Sequence, residues 1–594
     1  MAGPFLIEHV RRRYVDLEYF GWRPGQDAGP PLRKAFEFCK NSSIKEIRLY
    51  RDPSNPGTVA GAYRIRSGAN SNRCILLDGA AYSGIRLIGL GRTITRIEYD
   101  HAAGLTSRSL LSWTSADVHI EGMTFDGREQ DRIPVAGLTL SADITETTTT
   151  ITIAGGSGGL QTSGTFKIDD EWIAYDSKAG NDALTCTRGI RGTIATAHSS
   201  GSPVFHQLMT GHHPVGINNF KKALLKDFGI ENAVSYGLGI ENTGVQTLES
   251  LTLDVVWIEN TGSDGGDIKC PVPNGNKYVK MNDVTVKGWS RETSWGAKSA
   301  ESALDVRCAS AQIVRPTMIT TPYMGAAQCI TLRNNQNGDY SGGHFSTVSD
   351  PQLLGYTDTP GTTVELHNGI VSNGLQTVTT GLVARDLTGV AYFGSTGDLA
   401  SGEYSRLNGF QIHRCFRGVQ LLGSHYGISN GTIRECTDDG VLDARASGVE
   451  NTCDNVHVYD SGGYGFRVQS GGELKLINSH AEGSATADYL LSANCTVQRT
   501  IGAIVTVTTD YEVDPEDYTI LVNASAGPRT LTLPHVWQVA PRREFIIKKI
   551  DDSGNAVILD PVGSTQIEGA STKSFSTPLQ AVRLTNDGAM WFQI

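Results

Sequence analysis

A five-residue pattern of small, apolar, any, apolar, any residue returns through the middle of this 594-residue chain and restricts its fold more than any other feature. The first clear copy is Gly237-Leu238-Gly239-Ile240-Glu241; others occupy residues 265–269, 303–307, 329–333, 381–385, 418–422, 440–444 and 465–469. Their central residues are Gly239, Asp267, Asp305, Thr331, Val383, Gln420, Leu442 and Arg467, at intervals of 28, 38, 26, 52, 37, 22 and 25. A base period in the low to middle twenties explains these intervals if some turns carry insertions and the longest hides one further copy. A second short alternating segment precedes many copies, as at 251–256, 279–286, 427–433 and 456–459. Alternation with period two is the mark of a strand with one buried face.

Short strands recurring without helices between them predict an all-β solenoid, a parallel β-helix whose coils of two or three strands stack at strand spacing. A β-propeller would need about 40 residues or more per blade and a blade motif, and neither is present. Composition agrees: 68 glycines supply tight turns, while 39% hydrophobic and 19% charged residues exclude disorder. The formal charge of −11 gives no general basic footprint for nucleic acid. Ten cysteines occur singly, with no CxxC pair or zinc-type spacing, so no metal is expected and Cys270, Cys308 and Cys329 are expected to pack as small buried groups. His212-His213 gives little reason to expect a metal, because adjacent strand residues point apart. No run of about 18 apolar residues and no signal-type apolar core occurs, which predicts synthesis in a cytoplasm and no membrane insertion.

Residues 14–21, the amphipathic stretch 31–39, and the segments 47–50, 61–65, 86–91 and 118–127 together resemble the entry of the pectate-lyase-like right-handed parallel β-helix proteins, in which a short helix caps the first coil. The resemblance runs over about residues 14–500. Residues 137–205, with Thr187-Arg188-Gly189 and Thr193-Ile194-Ala195-Thr196-Ala197-His198, look like a small β-module inserted in phage tail proteins. Residues 505–594 resemble the C-terminal β-sandwich of tail fibres and tailspikes, with an antiparallel texture. The implied organisation is an N-terminal segment with a capping helix (1–40), first coils (41–136), the inserted module (137–205), the main β-helix (206–504) and a C-terminal β-sandwich (505–594). The resemblance also implies a phage or prophage tailspike that assembles as a homotrimer, sits at the virion tail with other tail proteins and acts at the bacterial cell surface.

Written in register, the repeats give two outward columns. One holds Gly239, Asp267, Asp305 and Thr331; the other, two residues along, holds Glu241, Lys269, Arg307 and Arg333, with Arg385 further on. Both columns are expected to face water, the cations forming a positive track for an acidic glycan or, alternatively, a structural ladder of surface ion pairs. The loop from Asn260 to Lys269 resembles a segment of polygalacturonase-like β-helix hydrolases but lacks their companion motifs. Glycoside hydrolysis needs two carboxyls, about 5–5.5 Å apart for retention or about 6.5–9.5 Å for inversion. Asp267 and Asp305 on adjacent coils suit the first, and Asp264 or Glu301 reaching in from turns suits the second. In the insertion that follows, Trp289 and Trp295 suit sugar stacking, and Arg291 and Lys298 suit carboxylate binding.

These residues predict a depolymerase of acidic bacterial surface polysaccharide, working without a cofactor as an endo-glycosidase through Asp267, Asp305, Asp264 and Glu301. Lys269, Arg307, Arg333 and Glu241 would line its substrate track. Two alternatives stay open: a polysaccharide lyase with Lys269 or Arg307 as base, and a non-catalytic fibre that recognises a glycan through the same groove.

Overall fold

The computed structural model describes residues 13–49, 62–66, 73–99, 109–128, 138–154, 164–179, 183–190, 193–206, 213–233, 235–242, 248–270, 279–290, 301–308, 310–321, 324, 326–333, 345–356, 366–373, 376–394, 404–445, 450–469, 472–491, 495–498, 503–515, 517–536, 538–539 and 543–594. They fall into two compact units, one ending near Phe393 and one beginning near Ala400.

In the first unit the repeat pattern becomes one parallel sheet of short strands. Arg73–Asp78, Ser109–Thr114, Val215–Asn218, Leu238–Glu241, Gly266–Cys270, Glu301–Cys308, Ala327–Leu332 and His367–Ser372 lie side by side in sequence order. Ile217, Ile240, Ile268, Val306 and Leu332 stand in register and point inward, all buried. Each such side chain contributes about 1.5–3 kcal/mol on leaving water, so a slip of one residue would turn a whole apolar column outward. The second alternating segments form another parallel sheet, including Asp117–Asp126, Lys222–Ala233, Ser250–Thr261 and Val279–Lys287. Asn232 and Asn260 end successive strands of this sheet in the left-handed region (φ 51° and 57°), which a short amide side chain tolerates best. The Asn260 amide donates to Asn232 Oδ1 at 3.2 Å, tying coil to coil.

The copy at 381–385 is a correction. Val383–Arg385 pairs with Gln352–Leu354 in the second sheet, and the strand that follows Ala327–Leu332 is His367–Ser372, where Thr331 faces Val371. Both sheets alternate with the same period, so pattern alone could not assign the copy, and Arg385 leaves the cation column.

A helix, Gly29–Lys40, buries Leu32, Ala35, Phe36 and Cys39, and the Phe36 ring meets Trp113 edge-on at 5.4 Å. All ten cysteines are buried. No helix among the described residues is long and apolar enough to cross a membrane.

Between Asp117–Asp126 and Lys222–Ala233, which pair directly, a six-stranded antiparallel sheet is looped out between Thr139 and His206. Its buried centre of charge is Glu171. Arg188 donates to it twice at 2.7 Å, the Gly189 and Thr196 amides at 3.0 and 3.1 Å, and His198 Nε2 lies 2.8 Å away. His198 Nδ1 lies 2.8 Å from Asp169. Burial opposes the charge of Glu171, but these partners outweigh it and bring its pKa to about 2. A depressed carboxyl stabilises the fold above its ordinary value of 4.5 and loses that contribution as pH falls towards 2. Glu171→Gln is therefore expected to cost about 3 kcal/mol at pH 7 and little near pH 2, read by thermal unfolding of the full chain at both pH values.

The second unit contains further parallel strands of both sheets. Arg406–His413, Gly427–Arg434 and Asn451–Tyr459 are neighbours in one; Arg417–Leu421, Val441–Asp443, Tyr464–Val468 and Ala487–Leu490 are neighbours in the other. Gln420, Leu442 and Arg467 stand in register, as their spacing implies. The C-terminal region differs from the antiparallel expectation. Ala503–Val507, Asp517–Val522 and Glu544–Lys549 are parallel in one layer, and Tyr511–Glu512, Arg529–Leu533 and Val557–Pro561 are parallel in the other. Antiparallel pairing begins only at Lys573–Phe575, Ala581–Asn586 and Trp591–Gln593. Successive strands alternate between layers, so turn spacing typical of hairpins conceals a coil.

Candidate active site

Two glycines in series decide how the chain enters the strand Gly266–Cys270. A Cβ on Gly265 would lie 2.6 Å from the Ala303 carbonyl oxygen, closer than any side chain tolerates, so only glycine lets the next coil pack this tightly. That approach brings the Ser302 amide onto Asp264, donating to Oδ1 at 2.5 Å. The Asp264 carbonyl accepts from Gly237 N at 2.9 Å, so adjacent coils hold the turn on both sides. Gly265→Ala is expected to cost about 1–3 kcal/mol by overpacking and to displace Asp264, seen as loss of activity together with a lower unfolding midpoint.

The register of the two columns is as the repeats imply: Gly239 faces Asp267, Asp267 faces Asp305 and Asp305 faces Thr331, while Glu241 faces Lys269 and Lys269 faces Arg307. Arg333 follows directly after Leu332, the partner of Val306. What differs is exposure. Asp267 and Asp305 are only 5% and 1% exposed, and Asp264 is 4% exposed. They point away from the apolar interior, yet they are covered. One oxygen from each of the three carboxyls lies within 4.8 Å of the others.

The cations do not form a free track either. Lys269 Nζ lies 2.6 Å from Asp267 Oδ2, Arg307 reaches Asp305 Oδ2 at 2.8 Å, and Arg333 Nε reaches the same oxygen at 3.2 Å. Residues i and i+2 share a face, so the carboxylate and cation of each strand are already side by side. Asp267 Oδ1 and Asp305 Oδ1, in contrast, are buried and have no hydrogen-bond partner among the described residues.

Burial, then the nearby Glu301, Asp305 and Asp267 carboxyls, hold Asp264 well above the ordinary carboxylate range, which its single amide donor does not offset. Burial raises Asp267 too, against the pull of Lys269. For Arg307 burial disfavours the charge, but its hydrogen bond to Asp305 outweighs this and its pKa rises.

Trp289 is fully buried and stacks no sugar. It lies just past the strand Val279–Lys287, where Ser290 N donates to Ser263 O of the preceding coil at 2.9 Å. Arg291, Trp295 and Lys298 lie outside the described residues. Glu241 is exposed at the edge of the cation column. The aromatic surface beside the cluster comes from residues given no role by the sequence reading. A Cβ on Gly239 would strike the His213 ring at 2.4 Å, so that ring occupies the column position next to Asp267. His213 in turn packs on Tyr236 with ring centroids 5.0 Å apart. The Tyr236 hydroxyl is pushed up to about 12 by burial and then by Glu301 and Asp264. Ser302, which fixes Asp264, also meets Thr331 Oγ1 at 2.7 Å.

Asp264, Asp267 and Asp305 are close enough to surround a cation. A hard divalent ion takes about six to eight oxygen ligands, whereas among the described residues three carboxyls converge here and two of them already hold an ammonium or guanidinium group. The donor set suits a proton shared among carboxyls better than a metal.

No protein-family model matches the chain, and no curated protein does. Among solved structures it is similar to the catalytic unit of a thermostable GH87 α-1,3-glucanase from Streptomyces thermodiastaticus, at 12% identity and TM-score 0.34, over 82% of this chain and 68% of that one. It is also similar to tailspike protein 3 of bacteriophage CBA120, at 10% identity and TM-score 0.31, over 99% of this chain and 70% of that one. A tailspike protein of Pseudomonas phage LKA1 matches at 11% identity and TM-score 0.23, over 90% and 82% of the two chains. At these scores the matches carry no weight for the chemistry, and both fold and site stand on the register and contacts described above.

Proposed function

We propose that this protein is a polysaccharide depolymerase of the tailspike kind, which hydrolyses glycosidic bonds of a bacterial surface glycan at the cluster of Asp264, Asp267 and Asp305. The observation that carries this reading is a buried carboxyl, Asp264, whose pKa is raised by burial and by its neighbours, beside two carboxyls whose Oδ1 atoms have no partner among the described residues. Pairs of carboxyls driven to opposite protonation states are what acid–base hydrolysis of a glycoside requires. Asp264 gives its proton to the glycosidic oxygen as the bond to the anomeric carbon breaks. At the short spacing of the cluster, Asp267 or Asp305 bonds that carbon through its open Oδ1 as a covalent intermediate, and water then displaces the carboxylate, giving a proton back to Asp264. Lys269, Arg307 and Arg333 hold those two groups in place through their Oδ2 atoms, while His213 and Tyr236 offer ring faces beside the reacting sugar.

Hydrolysis is favoured over β-elimination because Lys269 and Arg307, the candidate bases, are each engaged by a carboxylate, at 2.6 and 2.8 Å, and do not stand free to take a proton. The same pairing removes the argument for an acidic substrate: the cations are matched within the cluster and leave no surplus positive charge. Assembly in threes at a virion tail belongs to this reading, and a monomeric mass in solution scattering would contradict it.

The test is incubation with a panel of capsular and O-antigen polysaccharides, followed by reducing-end release and by the absorbance of unsaturated uronate. Release without that absorbance is the expected result. Absorbance would replace hydrolysis with elimination; binding without any cleavage across the panel would leave a glycan-recognising fibre.

A further inference from the structure

The second unit carries a cleft of about 360 Å³, within the range of about 300–1,000 Å³ that small ligands occupy. Three successive coils build it. Arg406 faces Gly427 and Gly427 faces Thr452, so Tyr404, His425 and Glu450, two residues earlier on each coil, follow one another along the cleft wall. Tyr404 is 54% exposed, and its ring stacks on His425 with centroids 5.2 Å apart and planes at 27°. Both residues have left-handed backbones, φ 75° and 61°, a conformation that bulky side chains rarely adopt and that concentrates at ligand clamps. Gly427 opens the floor: a Cβ there would meet only the Arg406 side chain, at 3.7 Å.

The charges around this floor differ from those elsewhere on the coils. Column residues such as Arg315 and Asp283, or Lys287 and Glu259, pair across adjacent strands. Arg406, Glu450 and Asp454 all line the cleft, and the structure gives their side chains no ion pair or hydrogen bond among the described residues. His425 Nδ1 is buried without a partner as well. An exposed aromatic platform ringed by unpartnered donors and acceptors is the chemistry that holds a pyranose: the ring's apolar face on the aromatic, its hydroxyls on the charged groups.

We propose that this cleft is a glycan-binding site, additional to the carboxylate cluster, that takes a neutral hexose residue. Neutrality follows from charge, since one cation faces two carboxylates and a uronate would be repelled. The inference does not depend on the hydrolytic reading, because no residue of the cluster takes part.

The test uses the full chain and neutral gluco-, galacto- and manno-configured oligosaccharides, with a glucuronate-containing oligosaccharide as comparator, read by saturation-transfer NMR and calorimetry. At least one neutral oligosaccharide is expected to bind. Tyr404→Ala should weaken it roughly tenfold or more, while Tyr404→Phe should retain it and Asp264→Asn should leave it unchanged. Failure of all the neutral oligosaccharides to bind, binding indifferent to Tyr404→Ala, or preference for the uronate would overturn the proposal. So would a fall in solution mass on Tyr404→Ala, which would make the cleft an interface between copies of the chain.

Discussion

Asp264→Asn is expected to reduce reducing-end release about 10²- to 10⁴-fold, the range a positioned general acid supplies, and at the same time to stabilise the protein at neutral pH. The amide keeps an oxygen for the Ser302 N–H but carries neither a transferable proton nor a latent negative charge. The sign of the stability effect follows from the raised pKa. A carboxyl whose folded value exceeds its unfolded one favours the fold only while protonated, and that advantage is lost as pH rises through the folded value. Above it, a charge buried among Glu301, Asp305 and Asp267 opposes folding. The variant's gain should therefore be about 0.5–2 kcal/mol at pH 8 and vanish below about pH 4, where both states are neutral. Activity lost with no change in the pH dependence of unfolding would show that Asp264 is not the protonated member.

Asp305→Ala should have the opposite effect on stability. Asp305 is 1% exposed, and its Oδ2 takes both Arg307 and Arg333. Removing it leaves two largely covered guanidinium groups without their anion, and breaking a buried pair from one side costs about 3–5 kcal/mol. Asp267→Asn, which frees only Lys269, should cost less. Denaturant unfolding of the single variants and of Asp305→Ala combined with Arg307→Ala separates the terms. Part of the loss should return in the double variant, because one uncompensated charge has been removed. If Asp305→Ala unfolds at the same midpoint as the parent, the ion pairs are not maintained in solution.

The repeats made much of this arrangement legible. Gly239, Asp267, Asp305 and Thr331 could be stacked from spacing because each is followed by an inward aliphatic residue that fixes the phase. The ion pairs were also within reach: Asp-x-Lys at 267–269 and Asp-x-Arg at 305–307 place opposite charges two residues apart on one face. Sheet membership was not legible where both sheets alternate alike, which is why 381–385 went to the wrong column. Trp289 was misplaced because period two reports direction only inside a strand, and Trp289 lies just past the end of one. The burial of Asp264 depends on Gly265 admitting the next coil, a contact between residues 38 positions apart. Tyr236 and His213 needed the same long-range view, since only the absence of a side chain at Gly239 makes room for the imidazole.

One proton on Asp264 decides the chemistry, and infrared difference spectroscopy of the parent against Asp264→Asn at neutral pH observes it most directly. A protonated-carboxyl carbonyl band is expected in the parent and is missing from the variant. A difference spectrum that shows only the loss of an ionised carboxylate would contradict it.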